Sequence, residues 1–507
     1  MNFRRLILVP FIILGVTACD LDEELREDLT AEEADQIFAA ADEAEIASLI
    51  QGIYNGFVLP FQDQSRFWAA QEHTGDLAIG PTRGGDWDDG GVWRTLHDHT
   101  WSADHAFLSD TFEEILQIVF STTNALQFEA AMTPAQVAEV RFLRAFAVFA
   151  IADGWGQVPF RSADSDLIEP SEVLSGEEAL SLVISELEAI IPDLADGPNY
   201  KANADAGRVL LMKAYLNRGA FGNRSNPEFP QADMNQVISL ADQITGYTLE
   251  DNYYDNFAPD NDVVSSENIF TFENVAGENR GGNTVRSRWF CTLHYNMTPS
   301  GWNGFTTLSD FYDTFEDGDV RRYAETSALA ETGFNNGFLV GQQRGPDGTE
   351  LTDRNGAPLV FTPEVALLES GSNLEVTGIR VMKYIPDLAN GDNINNDAVV
   401  FRYADVLLMK AEAQLRNGDA ASALAIVNEI RAARNASALA SLDADALLAE
   451  RGRELYWEGW RRQDLIRFGR FLDAWQEKPA SGEERLLFAI PADQIALNPN
   501  LTQNPGY

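Results

Sequence analysis

The residues of this chain best suited to chemistry are tryptophans set beside carboxylates, amides and arginines. Trp87 and Trp93 lie among Gly and Asp in the stretch 65–102, and Trp289 and Trp302 lie in the stretch 245–396. Asp86-Trp87 and Trp302-Asn303 each put a hydroxyl-binding group next to an indole, and Arg83 and Arg288 stand close by in sequence. An indole face flanked by such groups suits a ligand that is apolar on one face and hydroxylated at its rim, as a sugar ring is. Loop sequence is where the backbone is free to present a ring, so Trp87, Trp93, Trp289 and Trp302 are the candidate platforms. Arg83, Asp86, Arg288 and Asn303 are their candidate polar partners. Trp68 and Trp101, near the edges of their stretch, are expected in the core.

Other chemistries find little support. There is no G-x-S-x-G elbow, no H-E-x-x-H helix, no Gly-rich loop ending in Gly-Lys and no C-x-x-C. With 79 Asp and Glu, carboxylate pairs arise by chance, and Glu454 and Glu458 are read as members of a helix-surface charge network. Four of the five His, at 73, 97, 99 and 105, fall in one window. His97 and His99 would share one side of a strand, but without a clear third ligand hydrogen-bonding roles are preferred. Asp86-Trp87-Asp88-Asp89-Gly90 lacks the alternating ligands of a calcium loop and reads as a solvated turn. No metal and no cofactor is therefore expected. Cys291, among Trp289, Phe290 and Leu293, reads as a packing residue.

At 507 residues and 45% apolar content the chain can bury a large core. A formal charge of −43 excludes nucleic acid and anionic lipid surfaces as partners, since both are bound through clustered Lys and Arg. Only 5 Lys stand against 31 Arg, which fits either a saline habitat or a bias toward solubility. Residues 1–18 read as a processing segment, with Arg4 and Arg5 before a short apolar run. Val16-Thr17-Ala18-Cys19 resembles a bacterial lipobox, which makes Cys19 the expected lipid anchor. The acidic run 19–29 would then be a tether resembling an export tag, and 30–507 a single domain.

Positioning the candidate residues falls to helices. Tyr403, Val406, Leu407, Ala411 and Leu415 recur at helical spacing, Asn417-Gly418-Asp419 stops that helix, and Ala420, Ala423, Leu424, Val427 and Ile430 mark the next. A third helix is predicted from Glu450 to Arg467, with Glu458 facing Arg461 and Arg462, and Asp464 facing Arg467. Leu407-Leu408-Met409-Lys410-Ala411 echoes Leu210-Leu211-Met212-Lys213-Ala214, and such recurrence argues for stacked, tetratricopeptide-like helix pairs. Thr30 with Glu33 forms a capping box for a first helix. A second carries the stripe Ile46 to Phe57, with Pro60 beyond its end. Further helices are predicted over 110–129, 134–152, 176–191, 205–218 and 232–244. The fold class is mainly α, a scaffold of helix pairs interrupted by the loop-rich stretches 65–102 and 245–396. Short strands are expected at 268–273 and 378–384, and a hairpin turn at Asp353-Arg354-Asn355-Gly356.

Several segments together resemble the SusD/RagB lipoproteins. They are Arg402-Tyr403-Ala404-Asp405 with Val406-Leu407-Leu408, Glu450-Arg451-Gly452-Arg453-Glu454-Leu455 with Glu458-Gly459-Trp460-Arg461, and the ending Asn498-Pro499-Asn500-Leu501-Thr502-Gln503-Asn504-Pro505-Gly506-Tyr507. Arg141-Phe142-Leu143-Arg144-Ala145-Phe146, Gly301-Trp302-Asn303-Gly304 and Asp319-Val320-Arg321-Arg322 extend the resemblance over nearly the whole mature chain. It implies a non-catalytic, outer-membrane, cell-surface lipoprotein that binds a glycan, or a peptide or other nutrient, and hands it to a SusC-like TonB-dependent transporter. A secreted glycoside hydrolase is the reading from another class, disfavoured by the missing signatures. One glycan site is expected where the two irregular stretches meet.

Overall fold

The computed structural model describes residues 40–162, 169–277, 284–371 and 374–507. The predicted Thr30–Glu33 capping box and Cys19 lie outside the described residues. Among the described residues, ten helices of seven residues or more make the frame: α1 (Glu43–Gln62), α2 (Ala106–Ala125), α3 (Pro134–Trp155), α4 (Gly176–Ile190), α5 (Ala204–Gly222), α6 (Gln231–Ala241), α7 (Tyr403–Arg416), α8 (Ala420–Ala433), α9 (Ala444–Leu455) and α10 (Arg461–Arg467).

Side-chain caps decide where several of them start. Asp42 accepts from the Glu45 amide at 2.9 Å while the Glu45 carboxylate accepts from the Asp42 amide at 3.0 Å, so two otherwise orphaned donors are satisfied at once. Thr133 with Gln136 and Ser175 with Glu178 repeat the device at α3 and α4. Asp419 and Asp443 cap α8 and α9. The stripe Ile46, Ile50, Ile53, Tyr54 and Phe57 is buried, as its spacing requires. Pro60 lies inside α1 rather than past its end. In the last turn it removes only one intrahelical donor, so the helix runs on to Gln62.

Consecutive helices pack as pairs, α2 on α3, α3 on α4, α4 on α5, α5 on α6, and α7 on α8. The long insertion ends where α7 docks against α6 and α5, bringing the two echoing segments together. There Lys213 Nζ sits 2.6 Å from Asp405 Oδ2, both groups buried, and stacks 3.7 Å from the centre of the Trp460 ring. One apolar core runs from Ile46 to Leu501, and a smaller one lies between α7, α8 and α9.

Strands are short and join remote parts of the chain. Asn268–Phe272 pairs antiparallel with Ala398–Arg402, opening and closing the insertion, and both strands are fully buried. Arg380–Met382, Asn336–Leu339 and Tyr323–Ala324 form an antiparallel sheet. Thr82–Arg83 pairs in parallel with Leu368–Glu369, which ties the first irregular stretch to the second. The Asp353–Gly356 turn forms as predicted, with Gly356 at φ +84°.

Two expectations about charge change. The stretch Glu450–Arg467 is not one helix: α9 ends at Leu455, Trp457 and Gly459 take positive φ, and α10 starts at Arg461. Glu454 and Glu458 are therefore not on a helix surface. Glu454 is fully buried between Arg402 (2.7 Å), Arg434 (2.9 Å) and Arg321 (2.9 Å), and Glu458 binds Lys383 (2.6 Å) and Arg402 (2.8 Å) instead of Arg461 or Arg462. Arg461 pairs with Asp76 at 2.6 Å. Asp464 does meet Arg467, at 2.6 Å, and also holds Arg451 at 2.7 Å.

These buried groups set a pH profile. Burial alone would push the Glu450 carboxyl up, but the Arg321 and Arg453 guanidiniums bring it down to about 2. Its stabilising contribution is complete above the unfolded value of about 4.3 and lost as pH falls toward 2. Glu72 and Asp397 behave oppositely, because burial pushes each up to about 7. Their contribution is complete below about pH 4 and lost as pH rises through 7. Calorimetry should show the highest melting temperature between about pH 4 and 5, a decline from there to about pH 7 and a fall below about pH 4. Glu72→Gln should flatten the decline between about pH 5 and 7. A melting temperature that rises steadily from pH 5 to 8 would contradict this assignment.

Candidate functional site

The candidate residues fall into two layers, an exposed shelf and a buried support. Trp302 is 45% exposed and Trp87 half-buried, and their ring centres lie 6.3 Å apart at 59°. The Trp87 Nε1 donates to the Trp302 carbonyl at 2.9 Å, so the two irregular stretches lock together at the shelf itself. Tyr295, half-buried, extends the aromatic surface. Its hydroxyl donates to Asp86 Oδ2 at 3.1 Å. Arg354, from the tip of the Asp353–Gly356 turn, lies 4.0 Å over the Tyr295 ring and pairs with Asp86 at 3.0 Å.

The backbone around these rings is unusual for a reason that can be named. Trp87 takes φ +60° and Asn303 φ +54°, left-handed values uncommon in non-glycine residues. The Trp87 indole and the Gly301–Gly304 segment approach closely enough that a Cβ on Gly304 would lie 2.2 Å from Trp87 Cε2. Only glycine lets the Trp87 indole lie flat on that backbone.

Beneath the shelf the other candidates serve as support. Asn303 is buried; its amide donates to the Glu375 carbonyl at 3.1 Å and its Oδ1 accepts from Arg380 at 2.7 Å. Arg83 is buried and donates to the carbonyls of Leu374 (2.8 Å) and Thr377 (2.9 Å) and to Thr377 Oγ1 (2.7 Å), with burial holding its guanidinium down at about 10. Trp93 and Trp289 are each 3% exposed and offer no ring face to a ligand. Trp93 is turned inward by the short helix Val92–His97, packs on Phe107 and Phe305 at 4.6 and 4.8 Å, and donates to Asp89 Oδ2 at 2.8 Å. Trp289 is turned inward by the helical turn Ser287–Phe290. Arg288 is buried as well, 4.2 Å over the Trp68 ring, with Ser287 Oγ at 2.7 Å. Trp68 and Trp101 are core residues, as is Cys291. Trp302 and Asp86 lie at the surface and Trp87 is half-buried, whereas Trp93, Trp289, Arg83, Arg288 and Asn303 are interior.

Two surface residues escaped the sequence reading, Tyr295 and Arg354. Tyr295-Asn296 carries the same ring-plus-amide signature as Trp302-Asn303. Arg354 had a visible cue in the Asn-Gly turn that presents it. Glu375 completes the rim. It accepts from the Arg354 amide at 2.9 Å, from the Arg354 side chain, and lies 2.9 Å from His294 Nε2. Burial would push the Glu375 carboxyl up, but these donors hold it below its ordinary value. Burial, with Asp86 beside it, pushes the Tyr295 phenol up. The Glu375 carboxylate is thus an ionised acceptor tied to guanidinium, not a proton donor.

The histidine window is not on a strand. His97 ends a short helix and bonds the Gln476 carbonyl at 3.0 Å, and His99, at φ +58°, bridges Ser481 Oγ (2.9 Å) and the Thr74 carbonyl (2.8 Å). Among the described residues no group of three His, Cys, Asp or Glu is placed to hold a metal. The carboxylates of Asp86, Asp88 and Asp89 diverge to Arg354, Arg94 and Trp93.

The Gly304 contact yields a direct test. Gly304→Ala should drive the Trp87 indole off its seat at a cost of about 1–3 kcal/mol, read as a lowered melting temperature together with a shift in tryptophan emission. An unchanged emission spectrum and melting temperature would show that the ring is not held there.

Comparison with known proteins places this arrangement. The starch-binding protein SusD of Bacteroides thetaiotaomicron is 26% identical over 419 residues, 74% of this chain and 74% of its own length. SusD-like protein P25 of Formosa agariphila is 25% identical over 440 residues, 79% of this chain and 80% of its own. A SusD-like protein of Bacteroides fragilis superposes with a TM-score of 0.70 at 19% identity, over 95% of this chain and all of that one. A laminarin-binding SusD-like protein superposes at 0.68 with 19% identity, over 92% of this chain and all of that one. The SusD family profile matches residues 240–507, the segment holding Trp302, Arg354 and the buried arginine–glutamate cluster. With more than half of its length matched by that profile, and the helical frame shared from end to end, this chain belongs to the SusD family.

Proposed function

We propose that this protein is a non-catalytic glycan binder and that the shelf of Trp87, Trp302 and Tyr295, rimmed by Asp86 and Arg354, is its site. The observation that carries the reading is the Trp87–Trp302 pair, exposed at Trp302 and half-buried at Trp87, set at the junction of the two irregular stretches and flanked by hydroxyl-binding groups. An indole face gives the apolar side of a sugar ring a surface to pack on, and the carboxylate, phenol and guanidinium meet its hydroxyls. The relatives named for binding starch and laminarin support the same ligand class. A peptide or another nutrient is the second reading, resting on the breadth of the family name alone.

Delivery to a SusC-like TonB-dependent transporter in the outer membrane, with the helical frame as docking face, completes the proposal. It rests on family membership. Attachment through lipid on Cys19 rests on the lipobox-like run Val16-Thr17-Ala18-Cys19. The strong negative charge speaks against nucleic acid as a partner.

Substitution separates platform from core. A sugar covers one face of an indole, so at about 25 cal/mol/Å² Trp302→Ala should weaken glycan binding by about 1–3 kcal/mol, or roughly 5- to 150-fold in Kd, with little change in melting temperature. Trp93→Ala should instead cost about 3–5 kcal/mol of stability. Titration calorimetry and thermal melts on both variants check this. Loss of stability in both, with Kd per folded molecule unchanged, would move the site elsewhere.

A further inference from the structure

The charge of the shelf carries an inference about which glycans it accepts, and this inference rests on the glycan reading above. Three guanidiniums reach the surface around the rings, and each is already engaged by a carboxylate. Arg354 pairs with Asp86 at 3.0 Å and also binds Glu375. Arg94 pairs with Asp88 at 2.7 Å. Arg286, stacked 3.5 Å over Phe290, pairs with Asp392 at 2.5 Å, and Phe290 in turn lies 4.7 Å from Trp302.

Two further guanidiniums lie below and are turned away. Arg83 spends its donors on the carbonyls of Leu374, Thr377 and Gly304 and on Thr377 Oγ1. Arg380 spends its own on the carbonyls of Thr377, Gly378 and Glu375 and on Asn303 Oδ1. Asp89, two residues from Trp87 and exposed, accepts from Trp93 Nε1 and has no ion pair among the described residues. Glu369 adds a further carboxylate close enough to act on Arg83. The described surface around the rings therefore offers no cation without a carboxylate partner, and a carboxylate in excess.

We infer that the shelf selects uncharged glycans and excludes those carrying carboxylate or sulfate. Recognition of an anionic group calls for a guanidinium or ammonium whose charge is not already compensated. Here Arg354, Arg94 and Arg286 are each neutralised by a carboxylate within 3.0 Å, so an incoming anion meets no net positive charge and the repulsive field of a chain of formal charge −43. A hydroxyl faces no such barrier. It can accept from the outward N–H groups of Arg354, donate to Asp86 and leave their ion pair intact.

Affinity electrophoresis of the purified protein tests this. Starch, laminarin, xyloglucan and galactomannan serve as neutral polymers, and alginate, polygalacturonate and carrageenan as anionic ones. At least one neutral polymer should retard the protein, none of the anionic ones should, and the neutral affinity should change less than about twofold between 0.05 and 0.5 M NaCl. Asp86→Asn should free Arg354 from one partner and produce several-fold stronger retardation by an anionic polymer at low salt only. Wild-type retardation by an anionic polymer, abolished by Trp302→Ala, would overturn the charge selection while leaving the glycan reading standing. An Asp86→Asn variant that gains nothing for any anionic polymer would also overturn it. Retardation by no polymer of either kind would count against the glycan reading itself.

Discussion

The structure depends on a cluster of charges that have no access to water. Arg402, Arg434 and Arg321 converge on Glu454, while Glu267, Glu450, Glu458 and Asp319 take up their remaining donors and Lys383 closes the cluster at Glu458. Removing ions from water is costly, and a buried pair replaced by apolar groups is often no less stable. What such a cluster enforces is arrangement: with one partner moved, a charge is left uncompensated in the interior. Its members come from the insertion (Glu267, Asp319, Arg321, Lys383), from the strand before α7 (Arg402), from the residue that ends α8 (Arg434), from α9 and from the turn after α9. The long irregular stretch is therefore fixed to the helical frame at a point where moving one member leaves a buried charge unpaired.

That fixation reaches the shelf through a short path. Lys383 follows the strand Arg380–Met382, Arg380 binds Asn303, and Asn303 adjoins Trp302. From the other side, Arg83 in its parallel pairing with Glu369 holds the segment leading to Trp87. Side chains that look like ligand partners in sequence are thus the means of holding the ring faces in place. Rigid support matters for a weakly interacting ligand such as a sugar, because ordering a mobile platform on binding would offset much of what one stacked face contributes.

The helical frame was legible in sequence because its signals are local. Capping residues and stripes of period 3.6 are written within one helix, and the caps at Asp419 and the stripe Ile46 to Phe57 appear where they were read. The echo of Leu210–Ala214 in Leu407–Ala411 also led to a true contact. The break between α9 and α10 was not legible, since Glu450–Arg467 keeps helical charge spacing throughout and only the left-handed Trp457 and Gly459 interrupt it. The site was half legible for a related reason. Aromatic and polar residues mark a loop as a binding region, but whether a given Trp faces outward is set by a six-residue helix at Trp93 and a helical turn at Trp289, elements too short to leave a periodic signature. Arg354 and Asp86 are separated by 268 residues, a distance over which one sequence carries no pairing information.

A crystal structure with a bound oligosaccharide tests the central claim most directly, once electrophoresis has named a polymer that binds. The account predicts a sugar ring stacked on Trp302 and contacting Trp87 or Tyr295, hydroxyls within about 3 Å of Asp86 or Arg354, and a shelf that moves by less than about 1 Å on binding. A sugar seated elsewhere, such as the groove lined by Leu116, Phe120 and Phe160, with the shelf empty, would contradict it.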